Sequence, residues 1–405
     1  MAGLKKRNVP INLRQSGDSK AKILIYTHLR KGPFFHLSEE EGCWCYATYN
    51  HMYHPRAYIP LRKGGLMKEY DHLVNGLTMW NVAVERQVQI KGPDAMKFTN
   101  FLVTRDLEKC CPVNQARYVI LCDERGGIIN DPVLLRVAKD EFWLSLSDTD
   151  VALWAKGLNY KLGYKVVINE IDVSPLQIQG PKSKEFMSSI FGPRLLKMKY
   201  YQLWKTRLDG VPVVISRTGW SAEIGYEIYV MNSMKNGDRV WRALKKKGAP
   251  FGLKVIAPSH IRRIEAGILS CNQDFTIEDN PFEVGLGWQV DFSKKDFAGK
   301  TALRKIKREG VKEKLVGLRM GGRPQTWYNT DHYIVKDQTG KRDIGYVTSA
   351  FYSPKLKSNI ALAKLPVAHS RLGTKVKIAL PGGRPVNGEV VKVPFVDPDK
   401  VIPAS

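Results

Sequence analysis

The sequence predicts an α+β chain ending in a small all-β unit, and three observations carry that expectation. Short apolar runs bounded by turn residues alternate with helical apolar spacing, without a strict βαβ rhythm. Beyond residue 310, Gly, Pro, Asp and Asn split the chain into short strands alone. At 405 residues and 43% hydrophobic content the chain can bury a large core without disulfide or metal staples; at about 100–200 residues per domain it allows two to four domains.

Taken in order, residues 1–31 hold eight Lys/Arg against one acid, Asp18, with little apolar periodicity, so residues 1–40 read as a basic extension. Dense aromatic and apolar residues from Glu41, through Tyr46-Ala-Thr-Tyr-Asn-His-Met-Tyr53, mark the expected start of compact structure. Arg86–Ile90, Tyr118–Cys122 and Phe142–Leu146 read as strands, and Asp-Glu-Arg-Gly-Gly127 as a tight turn into an apolar run, Ile128–Leu135. Asp94–Leu102 and Asp148–Leu162 carry helical spacing. From Lys294 to Arg319 ten Lys/Arg face three acids, a charged stretch expected to end in a linker. Leu315–Arg319, Tyr333–Lys336, Ile344–Ser349 and Val376–Leu380 then form the all-β unit, giving a catalytic region over 41–310 and a barrel domain over 311–405.

The net charge of +25 favours polyanionic partners, among them nucleic acid, an anionic membrane surface or a polyanionic small molecule, or simply a solvated basic surface. Six cysteines, Cys43, Cys45, Cys110, Cys111, Cys122 and Cys271, make no disulfide framework and read as reduced thiols. No paired C-x-x-C knuckles or H-E-x-x-H motif argues for a metal. Neither a secretory signal nor an apolar run of about 18 residues is present, so a cytoplasmic protein is expected, with no membrane contact.

Phosphate loops, dinucleotide fingerprints and nucleophile elbows are missing. Three segments stand out instead. Gly126-Gly-Ile-Ile-Asn-Asp131-Pro places a carboxylate just past a turn inside an apolar run, where it is either desolvated and functional or a surface cap. Ser216-Arg-Thr-Gly-Trp220-Ser-Ala-Glu-Ile-Gly-Tyr-Glu227-Ile-Tyr229 gathers carboxylates and aromatics around glycines, as a site or as a packed hairpin. Asn280-Pro-Phe-Glu283 sets a Glu after a turn.

In this order the segments resemble the folate-dependent aminomethyltransferase family, whose type member is the T-protein of glycine cleavage. The resemblance covers about residues 41–400, through Ile90-Lys-Gly-Pro-Asp-Ala, Asp123-Glu-Arg-Gly-Gly-Ile-Ile-Asn-Asp, Arg217-Thr-Gly-Trp, Arg263-Ile-Glu-Ala-Gly and Asn280-Pro-Phe-Glu-Val-Gly-Leu. Tyr49-Asn-His-Met52, Trp80-Asn-Val-Ala-Val-Glu-Arg-Gln-Val88, Asn130-Asp-Pro132 and Ser147–Leu158 look most like the dimethylsulfoniopropionate demethylase branch. The T-protein's Asp-Asp is Asn130-Asp131 here, and Ser259 replaces the Arg of its Ala-Ala-Arg-Asp motif; both departures count against glycine cleavage.

The resemblance implies a three-subdomain cloverleaf: two interleaved α+β lobes around a folate channel, closed by a C-terminal β-barrel. It implies transfer of a methyl group from a small donor to N5 of tetrahydrofolate, which carries a polyglutamate tail in cells. Asp131 matches the catalytic aspartate and Glu227 the pterin-binding glutamate, with Tyr118 and Tyr229 as cofactor-site aromatics and Trp220 on the substrate. Arg56 is the choice for a substrate carboxylate, since guanidinium pairs with it bidentately. An onium centre accepts no hydrogen bond and suits an aromatic cage, for which Trp220, Tyr118 and Tyr229 are available. Competing readings are transfer from a methylated amine or ether, and a non-enzymatic folate-binding module contacting tRNA through the basic arm; a homodimer stays open.

Overall fold

The computed structural model describes residues 24–381 and 383–405; most of the basic arm lies outside the described residues. Compact structure begins before Glu41. Phe34 and Leu37, flanking and within the helix Phe35–Glu40, are fully buried, and Phe34 stacks on Trp241 at 5.9 Å. The helix Phe35–Glu40 therefore packs with the body, although the sequence reading places it in the basic extension.

Two antiparallel sheets form the body. The first has the order Val167–Ile171, Gln87–Lys91, Glu141–Ser145, Val133–Ala138, Gln115–Tyr118. The second runs Leu203–Leu208, Val211–Ser216, Gly225–Met231, Val173–Gln179, Thr78–Asn81, Lys254–Val255, with only the last pair parallel. The chain passes from one sheet to the other at residues 82–86 and again at residue 172, so neither sheet is built from one continuous stretch. Ala116, Leu135, Val137 and Trp143 of the first sheet pack on Val173, Leu203, Val214 and Tyr229 of the second. Val173–Gln179 is buried on both faces although it carries Ser174, Gln177 and Gln179 among its apolar residues.

The C-terminal unit is a closed six-stranded barrel, Glu313–Met320, Ser358–Pro366, Asp343–Ser353, Tyr333–Lys336, Lys375–Ala379 and Val386–Val391. Closure leaves no free sheet edge. The charged stretch before it contains a helix, Lys300–Glu309; Leu303 is buried against Ile128 and Phe297 while the basic residues stay in water. Barrel and body are joined through the Arg-Arg-Ile-Glu motif of the helix His260–Glu265. Arg263 pairs with Asp274 and donates to the Ser349 hydroxyl at 2.7 Å, while Glu265 accepts from Ser353 at 2.5 Å and Tyr70 at 3.0 Å. These groups are buried and hydrogen-bonded to one another, with only Arg262 Nη1 and Arg263 Nε of the motif lacking a hydrogen-bond partner among the described residues, so that motif is scaffold.

Candidate active site

The turn at Asp123–Gly127 sets the site. Gly126 has φ +86°, and a Cβ on Gly127 would lie 2.0 Å from the Ile277 carbonyl, so both positions need glycine. The Asp123 carboxylate accepts from the Arg125 and Gly127 amides at 2.9 and 2.7 Å and closes the loop. The apolar run beyond it is two strands, Ile128–Asn130 and Val133–Ala138, rather than one. Pro132 has no N–H for the ladder, and the break lies at Asp131-Pro132. The same break interrupts the opposing run after Tyr118.

Asp131 thereby lines a cavity of about 620 Å³ between the two sheets and the barrel. One carboxylate oxygen accepts from the Tyr118 hydroxyl at 2.8 Å and the other from Ser147 at 2.5 Å. Burial lifts its pKa from 3.8 to about 6 against those two bonds, which pull it down, with Asp274 adding repulsion. Asn130 fixes the Ser147 segment: its amide donates to the Ser147 carbonyl and the Thr149 hydroxyl, and its oxygen accepts from the Ser147 amide.

Glu227 lines the same cavity from the strand Gly225–Met231. Gln177 donates to one of its oxygens at 2.7 Å, and Thr218 and Tyr229 donate to the other. Burial raises its pKa, and the three donors only partly offset that. The structure corrects the expectation that Tyr229 is a ligand-facing aromatic. Tyr229 is fully buried between the sheets, lies outside the cavity lining, and acts on Glu227 through its hydroxyl. Tyr49, Tyr200 and Tyr201 line the wall instead.

Arg56 and Trp220 also reach the cavity. Arg56 lies on the strand Met52–Ala57 of a hairpin whose turn residues Asn50 and His51 have φ of 50° and 58°. It bonds to Nε2 of His260 and lies 5.5 Å over the Tyr328 ring. His260 meets Trp220 edge-on at 5.1 Å, and Arg263 covers one face of Trp220 at 5.7 Å. Burial and the two guanidinium groups hold His260 well below its usual pKa, so the ring is neutral. Arg217 of the Arg-Thr-Gly-Trp motif points the other way, donating to the Pro403 and Ser405 carbonyls. Glu283 caps its own turn, accepting from the Asn280 amide at 3.2 Å.

Sequence reasoning missed Glu85, Ser147, Gln177 and His260. Gln177 carried a usable signal, as a polar residue inside the apolar run Pro175-Leu-Gln-Ile. All six cysteines are unpaired. Among the described residues no helix is long and apolar enough to cross a membrane.

Two family models match in sequence: the GCVT N-terminal domain over residues 34–294 and the glycine cleavage T-protein C-terminal barrel domain over 313–397. The chain belongs to the glycine cleavage T-protein family. Among its relatives, the dimethylsulfoniopropionate demethylase DmdA of Ruegeria pomeroyi is 34% identical over 367 residues, covering 90% of this chain and 98% of the relative. An aminomethyltransferase of Thermotoga maritima is 34% identical over 347 residues, 83% of this chain and 91% of the relative. The crystal structure of the glycine cleavage system aminomethyltransferase T of Bartonella henselae superposes with a TM-score of 0.80 at 24% identity, over 91% of this chain and 98% of that one, and shows the same fold. This T-protein-family member is therefore an enzyme of tetrahydrofolate-dependent one-carbon transfer.

Proposed function

We propose that the protein moves a methyl group from a small carboxylated onium donor, of which dimethylsulfoniopropionate is the leading candidate, to tetrahydrofolate. The observation that carries this reading is one cavity lined by Asp131 and Glu227, each fixed by hydroxyl donors, and by Arg56 and Trp220, which both meet His260. The volume suits a heterocyclic ligand, and the buried acceptors of Glu227 and Gln177 suit a ring rich in N–H donors. Similarity to DmdA supports the sulfonium donor; the aminomethyltransferase relatives keep methylated amines in the comparison set.

Bound tetrahydrofolate supplies the nucleophilic nitrogen. Asp131 supplies a fixed negative charge where cationic charge develops during alkyl transfer, with no rearrangement because Tyr118 and Ser147 already hold it. Arg56 binds the donor carboxylate, and the face of Trp220 not covered by Arg263 meets the onium methyl groups. A sulfonium leaves as a neutral thioether, so the site needs no strong acid, which agrees with a neutral His260. In-line positioning then supplies much of the rate.

The test is a single-turnover incubation with tetrahydrofolate and a donor panel of dimethylsulfoniopropionate, glycine betaine, dimethylglycine and vanillate, read by mass spectrometry for 5-methyltetrahydrofolate. Transfer from the sulfonium is expected. Transfer from another donor replaces the substrate, and no transfer from any donor overturns the reading.

A further inference from the structure

The cavity is lined by a third carboxylate, partly buried, that the mechanism above leaves without a role. Glu85 sits on the crossover between the two sheets, at residues 82–86, and lines the cavity together with Glu227. Ser145 donates to its Oε2 at 2.9 Å, Gln87 donates to that serine oxygen at 2.8 Å, and Oε1 has no hydrogen-bond partner among the described residues. The Ser145 hydroxyl, which donates to Glu85, also lies beside the Tyr229 hydroxyl, which donates to Glu227, so the two acids are held by neighbouring hydroxyl groups. No Arg or Lys pairs with either acid among the described residues; the neighbouring Arg86 turns away to Glu170 at 2.5 Å.

Two carboxylates without a cation in one buried cavity are costly, and a donor-rich ligand removes that cost. Spacing says which ligand. Ser145 holds Glu85, and Ser147, two residues on, holds Asp131. The Leu146 amide continues the backbone pairing past the strand end by bonding to the Arg86 carbonyl. Alternate residues of an extended chain lie about 7 Å apart on one face, which matches the span of a fused bicyclic ring from Asp131 to the Glu85–Glu227 end.

Resting on the folate reading above, we propose that Glu85 is a second ring-recognition residue, which with Glu227 grips the N–H-rich edges of the 2-amino-4-oxo tetrahydropteridine. Burial and the Glu227 charge hold Glu85 well above the usual carboxylate range, so the free pair keeps a proton. The other groups facing it are Tyr49 from the N-terminal hairpin and Tyr229 across the sheet, with Tyr200 and Tyr201 near Glu227; burial keeps all four hydroxyls protonated. N–H donors favour the ionised pair, so ring binding releases that proton and tightens as pH rises.

The experiment is isothermal titration calorimetry of the full chain with tetrahydrofolate, and with a tail-less tetrahydropterin, from pH 6 to 8.5 in two buffers of different ionisation enthalpy. The wild type is expected to release a proton with both ligands. Glu85→Ala weakens both at least tenfold, and Glu85→Gln, which keeps the bond to Ser145, abolishes proton release and flattens the pH dependence. Unchanged proton release and affinities within twofold in both variants overturn the proposal. So does loss of dimethylsulfoniopropionate affinity with tetrahydrofolate affinity unchanged, which assigns Glu85 to the donor cation. A wild type that binds no tetrahydrofolate overturns the folate reading itself.

Discussion

Replacing Asp131 by Asn removes the charge and keeps the shape, and stability and activity then move in opposite directions. The folded-state pKa of about 6 lies above the ordinary 3.8, so the folded protein holds this proton more tightly than the unfolded chain does. The ionised carboxylate therefore costs stability: the cost is absent below about pH 4, grows as pH rises toward 6, and is constant above. A difference of about two pKa units corresponds to about 3 kcal/mol at pH 7. Asn returns about 1 kcal/mol of this, because its single oxygen cannot accept from both Tyr118 and Ser147. The net gain is about 2 kcal/mol at pH 7 and less than about 1 kcal/mol at pH 5. For a chain this long that is a Tm rise of about 2 °C at pH 7. Turnover falls about 10²–10³-fold, the usual loss when a preorganised charge leaves a transition state. The assay pairs differential scanning fluorimetry at pH 5 and 7 with 5-methyltetrahydrofolate formation. A variant that is destabilised at pH 7, or that keeps more than a tenth of wild-type turnover, refutes the reasoning.

Tyr118→Phe removes a donor that pulls the Asp131 pKa down, so the acid limb of the pH–rate profile, near 6 in the wild type, moves to higher pH while kcat drops about tenfold; an unmoved limb contradicts this. Arg56→Gln costs about 2–3 kcal/mol of donor carboxylate binding, raising KM for dimethylsulfoniopropionate about 30–150-fold, while tetrahydrofolate affinity measured by fluorescence stays within twofold. Glu69→Ala strands the buried amides of Tyr58, Ile59 and Ala257, which its carboxylate accepts at 2.7–2.9 Å, and should cost about 3–5 kcal/mol in urea unfolding.

How far the fold was legible depends on range. The two helices and the barrel strands follow from local periodicity and turn chemistry, and the helix Val151–Leu162 begins at Asp150 and ends at Gly163 as those rules require. The interleaving of the sheets was carried by the family resemblance, because nothing local says that Gln87–Lys91 and Thr78–Asn81, a few residues apart, join different sheets. The helix Lys300–Glu309 was hidden by composition: its apolar stripe is narrow and its charge dominates.

Within the site, the legible residues were those whose neighbours in sequence are also unusual. Asp131 follows a glycine turn and precedes a proline, and both features survive as causes, since the turn sets the strand and the proline breaks it. Glu85 and Gln177 were illegible for the opposite reason: each sits in an ordinary run, and its meaning arises only when Ser145, Tyr229 and Glu227 arrive from other strands. His260 shows how the same physics bears on chemistry. It lies at the head of the helix that ties body to barrel, yet its ring contacts Arg56 and Trp220. Burial and two guanidinium neighbours keep it neutral, and because Asp274 already pairs with Arg263 the charge that this end of the cavity presents is that of Arg56. The other end has two carboxylates and no base. A cavity polarised in this way orients a ligand pair before any contact is optimised: a carboxylated donor is drawn to Arg56, an N–H-rich ring to Glu227 and Glu85, and the transferred group lies between them near Asp131.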